Sequence, residues 1–400
     1  MMSQPEPAVL IAGAGPVGVI AALALAQHGV AVCVFEAEDH VNEAPRASTT
    51  HPATLEMLAE LGLVDDVIRH GLIAPTFQFW DRPSGRMIAE FDHAVLERDT
   101  RFPFVVQCEQ HKLANLAIER LRAFGNATVS FSSQVVAVEQ NDNAVAVTVR
   151  VDRQTERVSG SYLIGADGGR STVRKALNIA FEGYTFPERF LVLTTPFDFG
   201  AERRYGFRSY FSDPVEWVNL FKVSGDDARG LWRVVFPTRP GETDEEVLDE
   251  SAVQRRLQGF FPRRDDYVVV HRNIYHVHQR VAAAFGKGRV FLAGDAAHVN
   301  NPIGGLGLNC GIHDAVDLTG RLVDVMRGRK PADTLIDYDR RRRPLNIQYV
   351  QQQTIANKKR LEESDATVRE ANFSSLRKIA ADPEAHRAFL MRTSLLQSLK

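Results

Sequence analysis

The sequence predicts an α/β fold in which a discontinuous α/β domain is interrupted by a mainly antiparallel β-sheet domain and followed by helices to the C-terminus. Three observations predict it. A buried strand, a glycine-rich turn and a helix occur in that order at residues 9–28, again at 162–177 and again from residue 290. Between these units the residue pattern turns strand-like and aromatic, over 75–104 and then over 181–279. After Lys330 the apolar spacing is helical. The α/β domain is therefore drawn as 7–74, 105–180 and 280–335, the β-rich domain as 75–104 and 181–279, and a helical region as 336–400. A chain of 400 residues is long for one hydrophobic core, which also favours more than one packed unit.

Along the chain, Val9–Ala12 reads as a buried strand, Pro16–His28 as an Ala/Leu-rich helix and Val30–Phe35 as a second strand set off by Gly29. An amphipathic helix is expected over Ala53–Leu61 and another over Gln110–Phe124. Val129–Phe131, Val135–Val138 and Ala144–Val151 read as a meander of strands, and Tyr162–Gly165 as a short strand before a basic helix at Thr172–Leu177. Phe190–Thr194, Trp217–Val223 and Leu231–Pro237 belong to a sheet with an inner face suited to lining an apolar pocket. Val290–Ala293 restores the buried-strand pattern before a glycine-rich loop and a long helix.

Bulk properties exclude several classes. The net charge of −2 provides no basic domain for nucleic acid. The one basic run, Arg340–Arg343, closed by Pro344, reads as a solvated helix face. Cys33, Cys108 and Cys310 are scattered and odd in number, which argues against a disulfide framework or a cysteine-rich metal site. They fit a reducing compartment, and a cytoplasmic protein is expected. No charge falls between Ala8 and Phe35, but Gly13, Gly15, Gly18 and Gly29 divide that stretch, so it reads as a buried βαβ core rather than a membrane span.

The first motif carrying chemistry is Gly13-Ala14-Gly15-Pro16-Val17-Gly18, between a strand and a helix. In this Rossmann-like GxGxxG pattern Gly13 makes the tight turn, Gly15 admits a pyrophosphate and Gly18 lets helix and strand pack closely. The helix start offers free N–H groups and partial positive charge. Glu36, ending the second strand, stands where an acidic residue binds ribose hydroxyls, with Ala37 beside it. The motif alone leaves FAD and NAD open.

The second motif runs from Gly294-Asp295-Ala296-Ala297-His298 through Asn301-Pro302-Ile303-Gly304-Gly305-Leu306-Gly307-Leu308-Asn309. An aspartate just past a strand can accept hydrogen bonds from ribityl hydroxyls. The glycines let backbone N–H groups approach a flat ligand, and the following helix start favours the negative charge that builds on a flavin when it is reduced. This points to FAD. His298 and His51 read as structural or cofactor-adjacent rather than catalytic.

With Gly165-Ala166-Asp167-Gly168-Gly169-Arg170-Ser171-Thr172-Val173-Arg174 between them, these motifs resemble, in kind and order, those of the class A flavoprotein monooxygenases, the family of para-hydroxybenzoate hydroxylase and the phenol hydroxylases. The resemblance covers the chain from about Val9 to Leu322. It implies that Arg46, with Ala47, lies near the FAD diphosphate and ribityl chain, and that Gln107 is another FAD contact. It implies that Asp167 serves FAD and NAD(P)H, that Asp295 holds the ribityl region, and that Pro302 lies over the flavin beside the substrate. Gly304 to Asn309 would contact the ring edge. It further implies that NADPH or NADH reduces the flavin, that molecular oxygen adds to form a C4a-hydroperoxide, and that one oxygen atom is delivered to a small aromatic substrate, phenolic or heteroaromatic.

Tyr205, Arg208 and Tyr210 lie where the family often places substrate-binding groups, and no base is named among them. An epoxidase, an N-hydroxylase, a hydride-passing reductase or a flavin-binding protein without turnover stay open, as does a homodimer. No metal, nucleic-acid or membrane partner is expected.

Overall fold

A parallel sheet built from both ends of the chain organises one part of the molecule. The structure is a computed structural model and describes residues 8–226 and 229–399. Val9–Ala12 lies in the middle of six strands, flanked by Tyr162–Gly165 and Val32–Phe35, with Val290–Leu292 and Ala127–Ser130 outside these. Those five strands are parallel, and Gly286–Lys287 adds an antiparallel edge. All four residues of Val9–Ala12 are buried because helices cover one face of the sheet and a three-stranded antiparallel meander the other, so the strand is uniformly apolar rather than alternating. The helix Pro16–Gln27 packs on one face and against the long helix Gly307–Met326.

Two expectations about strands need correction. Ala127–Ser130 is not part of the meander; it pairs in parallel with Val32–Phe35 at the edge of the main sheet. The meander consists of Ser133–Gln140, Val145–Val151 and Gln154–Gly160, the last strand unforeseen. Its outer strand is mostly exposed, so no apolar alternation marks it in the sequence.

A second sheet has eight strands, ordered from His298–Val299 through His271–Ala282, Phe181–Thr195, Leu231–Pro237, Val218–Val223, Arg208–Ser212 and Thr76–Asp81 to Arg86–Asp92. Only the pairing of Arg208–Ser212 with Thr76–Asp81 is parallel. Side chains alternate between two cores. Trp232, Phe211 and Phe236 face the helices Asp244–Leu248 and Glu250–Phe260. Phe77, Phe91, Phe190 and Tyr210 face the other way, toward Leu306 and the C-terminal helices through Val350, Leu361, Phe373 and Leu390. The run Arg208–Ser212 is buried throughout for the same reason as Val9–Ala12: both of its faces are covered.

The C-terminal helices Ile336–Leu345, Gln352–Glu362, Ala366–Ala381 and Pro383–Thr393 thus form one wall of that second core. Pro344 lies inside the first of them, and a π-helical segment, Asn346–Gln351, follows. A proline cannot donate its backbone hydrogen bond, and the register adjusts just beyond it.

Arg340–Arg343 is only partly a solvated face. Arg342 is buried and bonded to Asp314, and Arg343 donates to the Ala282 carbonyl. Among the described residues no helix is long and apolar enough to cross a membrane.

Candidate active site

The first motif behaves as its spacing predicts. Gly13 has φ +101 and donates its N–H to the Phe35 carbonyl at 2.7 Å, closing the turn between strand and helix. A Cβ on Gly18 would stand 1.9 Å from the Gly13 carbonyl oxygen, whereas one on Gly15 would meet nothing within 4 Å. The loop is therefore packed on its inner side and open on its outer side, with Pro16 at the start of the helix. Glu36 accepts from the Ala14 N–H at 2.7 Å and from the Glu38 N–H at 3.1 Å, and Ala37 is exposed next to it.

Val17 faces inward instead. A Cβ on Gly294 would lie 2.8 Å, and one on Gly311 2.6 Å, from a methyl of Val17, so this side chain joins the first motif to the second. Asp167 is committed to its own turn: its carboxylate accepts from the Ser171 hydroxyl at 2.5 Å and from the N–H groups of Thr172 and Val173 at 2.7 and 3.1 Å.

Asp295 combines two properties. Its surface is reachable by solvent, yet enough protein surrounds it that desolvation raises its carboxyl pKa, with His298 and Arg46 pulling the other way. Together they describe the floor of a deep cleft. Arg46 is exposed and close enough to act electrostatically on Asp295; its carbonyl accepts from Arg233 at 2.6 Å, and the Ala47 carbonyl accepts from the Gln110 N–H at 2.9 Å.

Further along, Gly305 has φ +68, and a Cβ there would sit 2.8 Å from that of Thr49. Asn309 fixes this approach through its side chain, donating to the carbonyls of Thr49 at 2.8 Å and Gly305 at 2.6 Å and accepting from the His51 N–H at 2.9 Å. Gln107 accepts from the hydroxyls of Ser48 and Thr49 at 3.2 and 3.1 Å, while its own amide nitrogen is buried with no protein acceptor. Leu306 and Leu308 are buried beneath the loop, and the helix from Gly307 has no side-chain cap, so its first amides are free.

An open glycine loop, free helix-start amides, the cleft floor at Asp295 and the orphaned donor of Gln107 fit an elongated, flat dinucleotide such as FAD.

Past Gly304 lies a small cavity walled by Phe77, Phe79 and Tyr210, with Arg208, His51 and His93 set into it. The structure brings Arg208 and Tyr210 together because they stand two apart on one strand, beside Phe79 on the next. Tyr205 is excluded: it packs against Trp80 and Phe211 on the opposite face of the sheet. Pro302 is exposed and its carbonyl closes a turn with the Gly305 N–H; Ile303 and Gly304, rather than Pro302, line the cavity.

Arg208 is 3% exposed and forms no ion pair among the described residues. Its guanidinium lies 5.1 Å from the Phe77 ring centroid, one nitrogen is 3.4 Å from the Tyr210 hydroxyl, and Nε and Nη1 have no partner. Burial and then the Arg208 charge lower both neighbouring imidazoles, His93 to about 3 and His51 well below its usual value. Both are therefore neutral at physiological pH.

Sequence reasoning missed the opposite wall, where Gln353, Asn357, Leu361, Phe389 and Thr393 close the cavity from the C-terminal helices. Helical spacing predicts those helices but carries no signal for what they cover. The Asp314–Arg342 pair behind Gly294 was also missed, and only the position of Asp314 on the inner face of a long helix hinted at it. His298 belongs to this pair, 2.6 Å from Asp314 and stacked on Phe285, which bears out a structural reading for it.

Comparison with known proteins agrees with this geometry. Residues 6–353 match the family described as FAD binding domain. Over 390 residues the chain is 34% identical to para-nitrophenol 4-monooxygenase of a Pseudomonas species, covering 96% of this chain and 94% of that one. It is 37% identical over 342 residues to 6-hydroxy-3-succinoylpyridine 3-monooxygenase of Pseudomonas putida, covering 85% of each. A crystal structure of p-nitrophenol 4-monooxygenase from Pseudomonas putida superposes with a TM-score of 0.92 at 32% identity, covering 99% of both chains. The chain belongs to the FAD-binding domain family of flavoprotein monooxygenases. It is an FAD-dependent monooxygenase that uses NAD(P)H.

Proposed function

We propose that this enzyme hydroxylates a small, acidic, single-ring phenol of the para-nitrophenol kind, bound as its anion against Arg208. The buried, unpaired guanidinium of Arg208 in an aromatic-walled cavity carries this reading. Burying a cation without a counter-charge is costly, so such a group persists where a ligand supplies the charge. The substituted phenols and hydroxypyridines named for the relatives share an ionisable ring hydroxyl, which supports the same class.

On this reading Gly13, Gly15, Pro16, Gly18 and Glu36 hold the adenosine and diphosphate end of FAD. Arg46, Gln107 and Asp295 hold its middle, and Gly305 to Asn309 the ring edge. Bound FAD, once reduced by NAD(P)H, supplies the activation of molecular oxygen. The protein does the rest. Arg208 holds the substrate anion, and Phe77, Phe79 and Tyr210 fix the plane of its ring. The C-terminal helices keep water out, which protects an oxygen-transferring site from wasteful peroxide release. The parallel sheet with its helices acts as the cofactor domain and the eight-stranded sheet as the substrate domain. Three separated free thiols support a cytosolic setting.

The test is to purify the yellow holoenzyme and offer phenols, hydroxybenzoates and hydroxypyridines with NAD(P)H. Acidic phenols should accelerate NAD(P)H oxidation and give a product whose ring carries one oxygen atom from labelled O2, with any substituent at the attacked carbon released. The reading is wrong if none does so, or if peroxide alone accumulates.

A further inference from the structure

A phenol becomes a strong nucleophile only when its hydroxyl proton leaves, and Arg208 cannot take that proton, because a guanidinium has donors and no acceptor. Another group in the cavity wall has to accept it. His51 is 2% exposed and held at three points. Its N–H donates to Asn309, its carbonyl accepts from Thr54 and Leu55 at the start of the helix Pro52–Glu60, and its Nε2 lies 2.9 Å from the Gly304 carbonyl oxygen.

The last contact fixes the tautomer. A carbonyl oxygen only accepts, so Nε2 carries the hydrogen and Nδ1 presents a bare lone pair. That Nδ1 is buried and has no partner among the described residues. An acceptor with no donor thus shares a cavity with a cation that has no anion, beside the loop that faces the flavin ring.

We propose, resting on the phenol reading above, that His51 is the catalytic base of this enzyme and that its Nδ1 takes the hydroxyl proton of the substrate. The substrate O–H bond breaks, its electron pair stays on oxygen beside Arg208, and an N–H bond forms at Nδ1. The resulting imidazolium keeps its other hydrogen on Gly304, and nothing is oxidised or reduced.

The charged and titratable groups around His51 are Arg208 and Tyr210 from one strand, His93 from the turn His93–Leu96, and His313 from the long helix. Burial and Arg208 keep the free imidazole neutral, as a base must be before it acts. A second cation beside Arg208 becomes tolerable only once the phenolate lies between them, so proton transfer is coupled to substrate binding. His93 is the competing candidate, but its Nδ1 is 2.8 Å from the Pro75 carbonyl and, unlike His51, it leaves no fully buried nitrogen without a partner.

The experiment uses the oxidised holoenzyme with para-nitrophenol as a coloured probe, at a pH below the probe's own ionisation. Wild type should bind it with the absorption band of the phenolate and release no proton to a weakly buffered indicator solution. Release of one proton per probe bound overturns the proposal, whatever the behaviour of any variant. His51→Gln keeps an amide N–H for Gly304 but has no basic nitrogen. It should bind the probe as the neutral phenol, and lose about 10²–10⁴-fold in kcat for weakly acidic phenols. Its loss should be far smaller for phenols already ionised in solution. Equal losses for both classes, an unchanged phenolate band in His51→Gln, or a shift seen in His93→Gln instead would each overturn it. Failure of the phenol reading looks different, since wild type would then bind and hydroxylate no phenol at all.

Discussion

Arg342 and Asp314 form a buried ion pair, Nε to Oδ1 at 2.7 Å, directly behind the turn that carries Asp295. The second oxygen of Asp314 accepts from the Gly294 N–H at 3.2 Å and meets His298 at 2.6 Å. One carboxylate therefore ties a C-terminal helix, the long helix and the cofactor turn together. Its pKa is pushed up by burial but brought below the usual range by Arg342 and then His298.

Breaking this pair should unfold the site before it affects anything else. Arg342→Met leaves a buried carboxylate with only His298 and the Gly294 N–H beside it, a loss of about 3–5 kcal/mol, measurable by urea denaturation. Because the folded pKa of Asp314 is depressed, its contribution is present above the unfolded carboxylate value. It is lost as pH falls through the folded value. The stability gap between wild type and Arg342→Met should narrow in acid; a gap that widens there would mean that Asp314 is not the partner that matters.

That pair also shows where sequence reading stops. The strand Val9–Ala12, the GxGxxG turn and Glu36 were legible because their signals are local: an apolar run, glycines at fixed spacing and an acid at the next strand end. Arg342 was not, because its partner lies 28 residues upstream and nothing near it distinguishes it from the solvated Arg340. Gln154–Gly160 was missed because an exposed strand has no apolar alternation. Arg208 and Tyr210 could be picked out as a pair on a strand, but the C-terminal wall opposite them could not. Tertiary docking, not local pattern, decides which face of a helix covers a cavity.

Gly18→Ala should uncouple flavin binding from folding. The added methyl would lie 1.9 Å from a backbone oxygen, so the helix must shift away from the glycine turn. Overpacking of this kind costs about 1–3 kcal/mol. The variant should still melt cooperatively yet be purified with little FAD, its dissociation constant raised by about tenfold or more if even 1.4 kcal/mol is lost from the bound state. Full flavin occupancy in this variant would show that the turn does not hold the cofactor.

Asp295 is expected to favour flavin binding at the expense of stability. Burial raises its carboxyl pKa, so the FAD-free protein is more stable with the group protonated, and that advantage is lost as pH rises through the folded value. Asp295→Asn removes the charge and should raise the melting temperature of the FAD-free protein at neutral pH. An amide is a poorer acceptor for ribityl hydroxyls than a carboxylate, so flavin affinity should fall at the same time. Calorimetry of the FAD-free protein and flavin titration of the same samples test both signs; a fall in both quantities would place Asp295 in the structural framework instead.

Arg208→Met carries the same logic into the substrate cavity. The side chain is buried, bears two unpartnered nitrogens, and lies against Phe77 with no anion among the described residues to balance it. An apolar replacement of similar length removes an uncompensated charge, so the variant should be at least as stable as wild type. FAD content should not change, because no flavin-loop residue is bonded to the guanidinium. Substrate binding should suffer: a hydrogen bond to a charged group is worth about 1.5–3 kcal/mol, or roughly 10- to 150-fold in the KM of an anionic phenol. His51 and His93 offer an internal check, since both are held down partly by this guanidinium. In Arg208→Met their imidazole pKa values should rise, which NMR titration of the ring protons would detect. A variant that is stable, yellow and weak for phenolates, with both histidines easier to protonate, fits a cation kept in place for a ligand. One that is destabilised, with unaltered KM, would mean that Arg208 is part of the sheet's own packing.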